Sequence, residues 1–401
     1  MVGGILLSAG LAEADQSSQE RERQLRDWIE RRLGDGTVGV PKGEGVIIEY
    51  AQTTSTWMAD SEISQLLADV RDHPDHPQLG RATGLRNLSD KQSRTEFRGL
   101  YLDSSAWRRE FEMIDAAVGA GLNRVAAGDG DVRWVSTDLS GAQRSVSIIR
   151  SGVPFEVGYN AGQDLNDLRR HLAIFLADGL PLTRGDSIAL PTLDRTRWQA
   201  EVSGDGARYL ITGRILESGE PAVVSVSQLA ESGEGEAKWS LTLGDYYVES
   251  SLGRAVPHLA IETFPSGVSD TCTLTSVECV SPGVVERAGK LPKFSDDVRV
   301  LDFRQEVSVD PYAPIKPKRM VWTQKGGRDF YEMVDDATQT SISDAAMSRR
   351  EGPPQSTASD HSASKDDGAT EEWTTSRFMA LGALLVVIFG VPVSVYWFRS
   401  R

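Results

Sequence analysis

Lys238-Trp239-Ser240-Leu241-Thr242-Leu243 alternates without a break. Trp239, Leu241 and Leu243 project to one side of an extended chain, and Lys238, Ser240 and Thr242 to the other. Strand side chains have a period of two, so the run describes a sheet with one buried and one wet face, as antiparallel sheets have. Arg208–Ile215 repeats the rule, with Tyr209, Ile211 and Ile215 on one face.

Working outward, strands are predicted at Gly45–Ala51, Glu96–Leu102, Ala106–Ile114, Val132–Thr137, Ser145–Arg150, Trp198–Val202, Ala222–Leu229, Tyr246–Ser250, His258–Phe264, Val298–Val309 and Lys318–Gln324. Turn residues separate them, among them Gly204-Asp205-Gly206, Glu217-Ser218-Gly219, Gly233-Glu234-Gly235 and Leu252-Gly253. Gly128-Asp129-Gly130-Asp131 reads as a hairpin turn, because a calcium loop needs more spaced ligands and a closing Glu.

Helices are few. Glu20–Leu33 carries Leu25, Trp28, Ile29 and Leu33 on one stripe. Ile63, Leu66, Leu67 and Val70 mark a second, with Asp60 or Ser61 as its cap. Asp164–Leu176 aligns Leu165, Leu168, Leu172 and Leu176. His73-Pro74-Asp75-His76-Pro77 stops the second helix, and the chain to about Lys91 reads as loop. The simplest architecture that covers one face of so many strands is α+β, a large curved antiparallel β-sheet packed on a few helices.

Phe378 to Phe398 is a run of 21 residues without charge. As a helix it would be about 30 Å long, the thickness of a bilayer's hydrocarbon core. Arg377 flanks one end and Arg399 and Arg401 the other, with Tyr396 and Trp397 at the interface position. The Arg bias places the C-terminus in the cytoplasm and the body outside. Ser341–Ser376 is rich in Ser, Thr, Asp and Glu and too poor in apolar residues for a core. Near the start, Val2–Leu11 is apolar and Ala12-Glu13-Ala14 fits a signal cleavage site, although no Lys or Arg precedes it. The expected organisation is a signal peptide at 1–14, an extracytoplasmic body at 15–336, a spacer at 337–376 and a transmembrane anchor with a short cytoplasmic tail at 377–401 of a cell-membrane protein.

The chain of 401 residues carries a formal net charge of −15, which argues against nucleic acid and anionic lipid headgroups as main partners. Its cysteines are Cys272 and Cys279, with six residues between them. A hairpin between them in an oxidising compartment predicts a disulfide, with two free thiols as the alternative. The tryptophans Trp107, Trp134, Trp198, Trp239 and Trp322 recur in strands. Either they are ordinary core aromatics or they line a concave face that binds an apolar ligand.

The order helix, strand, helix, meander, with Ala106-Trp-Arg-Arg-Glu-Phe-Glu-Met113, Asp131-Val-Arg-Trp134, Leu301-Asp-Phe-Arg-Gln305 and Ile315-Lys-Pro-Lys-Arg-Met-Val-Trp322, resembles the half-barrel of bacterial outer-membrane lipoprotein carriers and related anti-sigma-factor regulators. The resemblance spans roughly Gln24 to Trp322 and implies an incomplete barrel that shelters acyl chains. A C-terminal span and the lack of a lipobox cysteine depart from a soluble carrier.

No GxSxG, Walker or HExxH motif is present, and the five histidines are dispersed. No cofactor, metal site or catalytic set is expected. Three readings stand: an anchored extracytoplasmic binding or sensing protein that holds a lipid or lipoprotein acyl chain, an interaction module that docks an envelope partner without ligand, and a hydrolase of unrecognised type.

Overall fold

A computed structural model describes residues 20–33, 39–71, 76, 78–90, 93–115, 120–130, 132–139, 144–150, 161–183, 187–189, 191–204, 206–229, 239–294, 297–307 and 316–324. The Val2–Leu11 run, His73, the spacer and the 378–398 run lie outside these residues. Among the described residues no helix is long and apolar enough to cross a membrane. The chain divides into two units, one of residues 1–291 and 299–321, the other of 292–298 and 322–401. The first carries the fold described below. In the second, only 292–294, 297–298 and 322–324 are described, as loop and strand ends.

Helix α1 covers residues 20–33. Then come β1 (Gly45–Thr56), α2 (Asp60–Val70), α3 (Leu79–Asp90), β2 (Ser93–Tyr101), β3 (Ala106–Asp115), β4 (Ala120–Asp129), β5 (Val132–Leu139) and β6 (Ser145–Arg150). Helix α4 (Ala161–Leu176) and a 3-10 turn (Leu180–Thr183) interrupt the strands. The chain resumes with β7 (Ser187–Ile188), β8 (Thr192–Asp194), β9 (Arg197–Gly204), β10 (Ala207–Ile215), β11 (Pro221–Gln228), β12 (Trp239–Glu249), β13 (Arg254–Thr263) and β14 (Val268–Val280). Helix α5 (Pro282–Gly289), β15 (Val298–Val307) and β16 (Lys316–Gln324) complete the described elements.

All sixteen strands join one sheet in the order β16-β15-β6-β5-β4-β3-β2-β1-β14-β13-β12-β11-β10-β9-β7, with β8 also on β9. Neighbours from β6 to β9 are antiparallel. Strand β15 runs parallel to β6, Arg299 beside Ser145, so the sheet is mixed and not antiparallel throughout. Alternation reveals which face is wet but not strand direction. A parallel pair needs a long crossover, and here β7 to β14 and α5 supply it.

Other differences have local causes. Strand β4 is Ala- and Gly-rich and lacks the β-branched signal of its neighbours. Helix α3 stands where loop was expected; its Gly80 and Gly84 blur the periodicity, but Ala82, Leu85 and Leu88 are buried. Helix α2 begins after Ala59, whose amide donates to Glu62 Oε2 (2.9 Å) in place of the expected Asp60 or Ser61 cap.

The expected disulfide is corrected. Cys272 and Cys279 lie on one unbroken strand, β14, opposite Gln52 and Val46 of β1, and both thiols are free. Seven residues of strand put their Cα atoms about 23 Å apart, where a disulfide requires about 4–7 Å. The intervening Thr273-Leu-Thr-Ser-Val-Glu278 has no Gly, Pro or Asn to turn the chain, and continues as strand.

A single core cluster runs from Val135 on β5 to Trp198 on β9, across eleven strands of the order above. Laid flat, those strands would span about 48 Å. Yet α1, α4 and the 3-10 turn, with the chain around Val40, are the non-strand segments that contribute to that cluster. The sheet is therefore curved around them. Helix α4 crosses the strands. Asp164 meets β3 and β4, Leu168 packs at Gly99 on β2, and Arg170 reaches Glu262 on β13. Gly99 is needed at its place, because a Cβ there would come within 2.3 Å of the Leu168 side chain.

Candidate functional site

Register aligns the inner face in rows. One row is Tyr50–Phe97–Phe111–Arg124, from β1 to β4. The next is Ile48–Gly99–Arg109–Ala126–Val135, and the third is Val46–Tyr101–Trp107–Gly128–Arg133. Tyr50 stacks on Phe97, ring centroids 4.9 Å apart, and on His171 of α4, 4.4 Å apart. The Arg109 guanidinium lies 4.7 Å from the Phe97 ring.

Into this aromatic bed α4 inserts charge. Arg109 Nη1 donates to Asp164 Oδ1 (3.0 Å) and to Asp167 Oδ2 (3.3 Å). Arg124 Nη2 donates to Asp164 Oδ2 (2.6 Å). Both oxygens of Asp164 are thus taken, one by each strand. Four residues along the helix, Leu168 packs on the sheet, and beyond it Arg170 forms a two-pronged pair with Glu262 on β13. Trp239 Nε1 also donates to Glu262 Oε1 (3.2 Å). Arg109, Asp164, His171 and Glu262 are all buried. A second set closes the end of α4. Asp178, in the left-handed region at φ 54°, lies 3.4 Å from Arg32 of α1 and 2.8 Å from the Tyr246 hydroxyl.

Burial sets the proton affinities. His171 Nδ1 sits 2.7 Å from the Asp167 carbonyl, which only accepts, so Nδ1 carries the hydrogen of the neutral ring. Burial, with the Arg109 and Arg170 charges behind it, pushes the imidazole down to about 3. Burial raises the Tyr50 hydroxyl, against the pull of Arg109, and raises Asp178 and Asp270 above the usual carboxylate range.

Such an interface is an unusual core. Buried ion pairs replaced by apolar residues of similar volume are often neutral or gain stability, whereas removal of one partner costs about 3–5 kcal/mol.

The expected tryptophan wall is only partly assembled. Trp107 on β3 and Trp198 on β9 are buried on the inner face, the latter edge-on to Trp28 of α1 at 6.0 Å. Trp239 is half-buried on the same face. Trp134 is on the outer face, under α5, where its Nε1 donates to the Gly289 carbonyl (2.8 Å). Its register partners Ala127 and Ile148 have the opposite parity to Ala126. Trp322 lies in β16, and its side chain is outside the described residues. An open groove of about 420 Å³ lies between α2 and α3, lined by Ser64, Leu67, Ala68, Arg71 and Leu79. Among the described residues no group of His, Cys, Asp and Glu is set to hold a metal.

The clasp residues had a signal in the sequence. In Trp107-Arg108-Arg109-Glu110-Phe111 the Arg109 position has the parity of the two aromatics. Asp164 and Asp167 each adjoin a leucine of the α4 stripe. Glu262 falls between Ala260 and Phe264. Charge on an apolar parity was the mark.

His171 gives a test by pH. Its folded value lies below the ordinary 6.5, so the unfolded chain takes up a proton that the fold refuses. Its contribution to stability is complete above pH 6.5 and falls as pH drops towards 3. Between about pH 7.5 and 5.5 the protein should lose about 1.4 kcal/mol more than a His171→Gln variant, read from urea midpoints. Parallel pH profiles would show that His171 is not buried neutral.

No family model matches the chain, and no curated protein does. Among solved structures, the chain is similar to an outer membrane lipoprotein-sorting protein domain from Vibrio parahaemolyticus, at 7% identity and a TM-score of 0.30, over 63% of this chain and 92% of that one. It is also similar to a LolA superfamily protein from Nitrosomonas europaea, at 11% identity and a TM-score of 0.28, over 62% of this chain and 91% of that one.

Proposed function

We propose that the body is a binding module for an apolar chain, a lipid or acyl group, taken up against the inner face of the sheet when α4 lifts. The observation that carries this is the buried Arg109–Asp164–Arg124 bridge between α4 and two strands. When α4 is down, its leucines cover the aromatic row. When it is up, the charges are hydrated and the row of Tyr50, Phe97 and Phe111 accepts the chain. Ten methylenes buried there contribute about 8 kcal/mol before ordering costs. The reading includes the anchor: the uncharged 378–398 run holds the body at a membrane, where such ligands reside.

Two experiments test it. Alkaline carbonate extraction of membranes should leave the full-length chain in the pellet, and its release would remove the anchor from the reading. A cysteine pair at Gly99 and Leu168, in a Cys272→Ala, Cys279→Ser background, would pin α4 to β2, because a Cβ at position 99 lies 3.6 Å from Leu168 Cγ. Saturable photocrosslinking of a diazirine-labelled long-chain fatty acid to the full chain should vanish in the oxidised variant and return on reduction. Equal labelling in both states would refute the lifting helix. No saturable labelling in any form would leave the docking module as the better description.

A further inference from the structure

Among the described residues five buried side-chain atoms of the inner face, Tyr50 Oη, Trp107 Nε1 and the Nε atoms of Arg109, Arg124 and Arg133, have no hydrogen-bond partner, and Trp107 and Arg133 share one row. The indole of Trp107 is fully buried, and its Nε1 has no hydrogen-bond partner. The ring lies flat over Gly128 of β4; a Cβ there would come within 2.3 Å of Nε1, so a larger residue would push the indole away. Directly opposite Gly128 on β5 is Arg133. Its Nε is also buried and without a partner. Burial lowers the proton affinity of the half-buried Arg133 guanidinium, and among the described residues no carboxylate is set against it. The neighbouring inner-face cations differ in this respect, since Arg109 and Arg124 share Asp164. Buried donors are almost always paired. Here the two stand on one row of the register, with one strand between them.

We propose that the Trp107–Gly128–Arg133 row binds the anionic head group, a carboxylate or phosphate, of the chain that the inner face takes up. This rests on the binding reading above and adds the ligand class: an acidic amphiphile and not a neutral one. The indole N–H and Arg133 each donate to one oxygen, and Gly128 lets the indole lie close against β4. The chain extends from there along the row of Tyr50, Phe97 and Phe111.

The test compares a diazirine-labelled long-chain fatty acid with its methyl ester on the full-length protein, by concentration-dependent crosslinking. The acid should bind roughly ten- to a hundredfold more tightly, the range of a charge-assisted hydrogen-bond pair. Arg133→Gln should erase that preference, and Arg133→Lys should retain most of it. A long-chain alkyl phosphate should displace the acid, and inorganic phosphate should not. Equal binding of acid and ester to the parent, or a preference that survives Arg133→Gln, would overturn the head-group site while the chain-binding reading stands. Displacement by inorganic phosphate alone would overturn it in favour of a free-anion site. Failure of both probes to label saturably would overturn the head-group site together with the reading beneath it.

Discussion

One carboxylate ties the helix to the sheet. Asp164 accepts from Arg109 on β3 and from Arg124 on β4, and so fixes where α4 begins relative to two strands. Everything along α4 follows from that point. Leu168 lands on the one inner-face position of β2 without a side chain, His171 on the Tyr50 ring, and Arg170 on Glu262. With the helix so placed, its leucines fill the curve of the sheet. Desolvation makes such a carboxylate costly to bury, and two guanidiniums with aligned N–H groups offset that cost.

The same arrangement separates two kinds of interior. Around α1 and β9 to β12 the core is mostly apolar, with Ile29, Val202, Ile211, Val226 and Leu241 fully buried beside the Asp178–Arg32–Tyr246 set. Beneath the N-terminal half of α4 it is aromatic and ionic. Local opening in proteins favours parts held by few apolar contacts and many solvable polar ones. The ionic half is where Tyr50, Trp107, Arg109, Arg124 and Arg133 keep buried atoms without a hydrogen-bond partner among the described residues.

Much of the fold was legible in the sequence. Alternation in Trp239–Leu243 and Tyr209–Ile215 marked the one-sided sheet, and the leucines of α4 its cover. What stayed hidden depends on long-range pairing. Nothing local tells that β15 returns parallel to β6, since direction is set by the crossover and not by the strand. Cys272 and Cys279 looked close because six residues are short; as strand they are long. Trp134 looked like Trp107 because both are tryptophans in strands, and only register puts them on opposite faces. The clasp was half visible. Arg109 and Glu262 break the apolar parity of their strands, but no spacing reveals that residues so distant in the chain meet at one helix.

The central claim is that α4 leaves the sheet as a unit while the strands stay paired. Native-state hydrogen exchange of the full-length protein measures this directly, as the opening free energy of each amide. The amides of residues 165–176 should exchange through a local opening, several kcal/mol below that of the central β1, β2 and β14 amides, and should slow when the long-chain acid is bound. If they exchange only with the strands, by global unfolding, α4 is a fixed part of the core and the lifting helix is wrong.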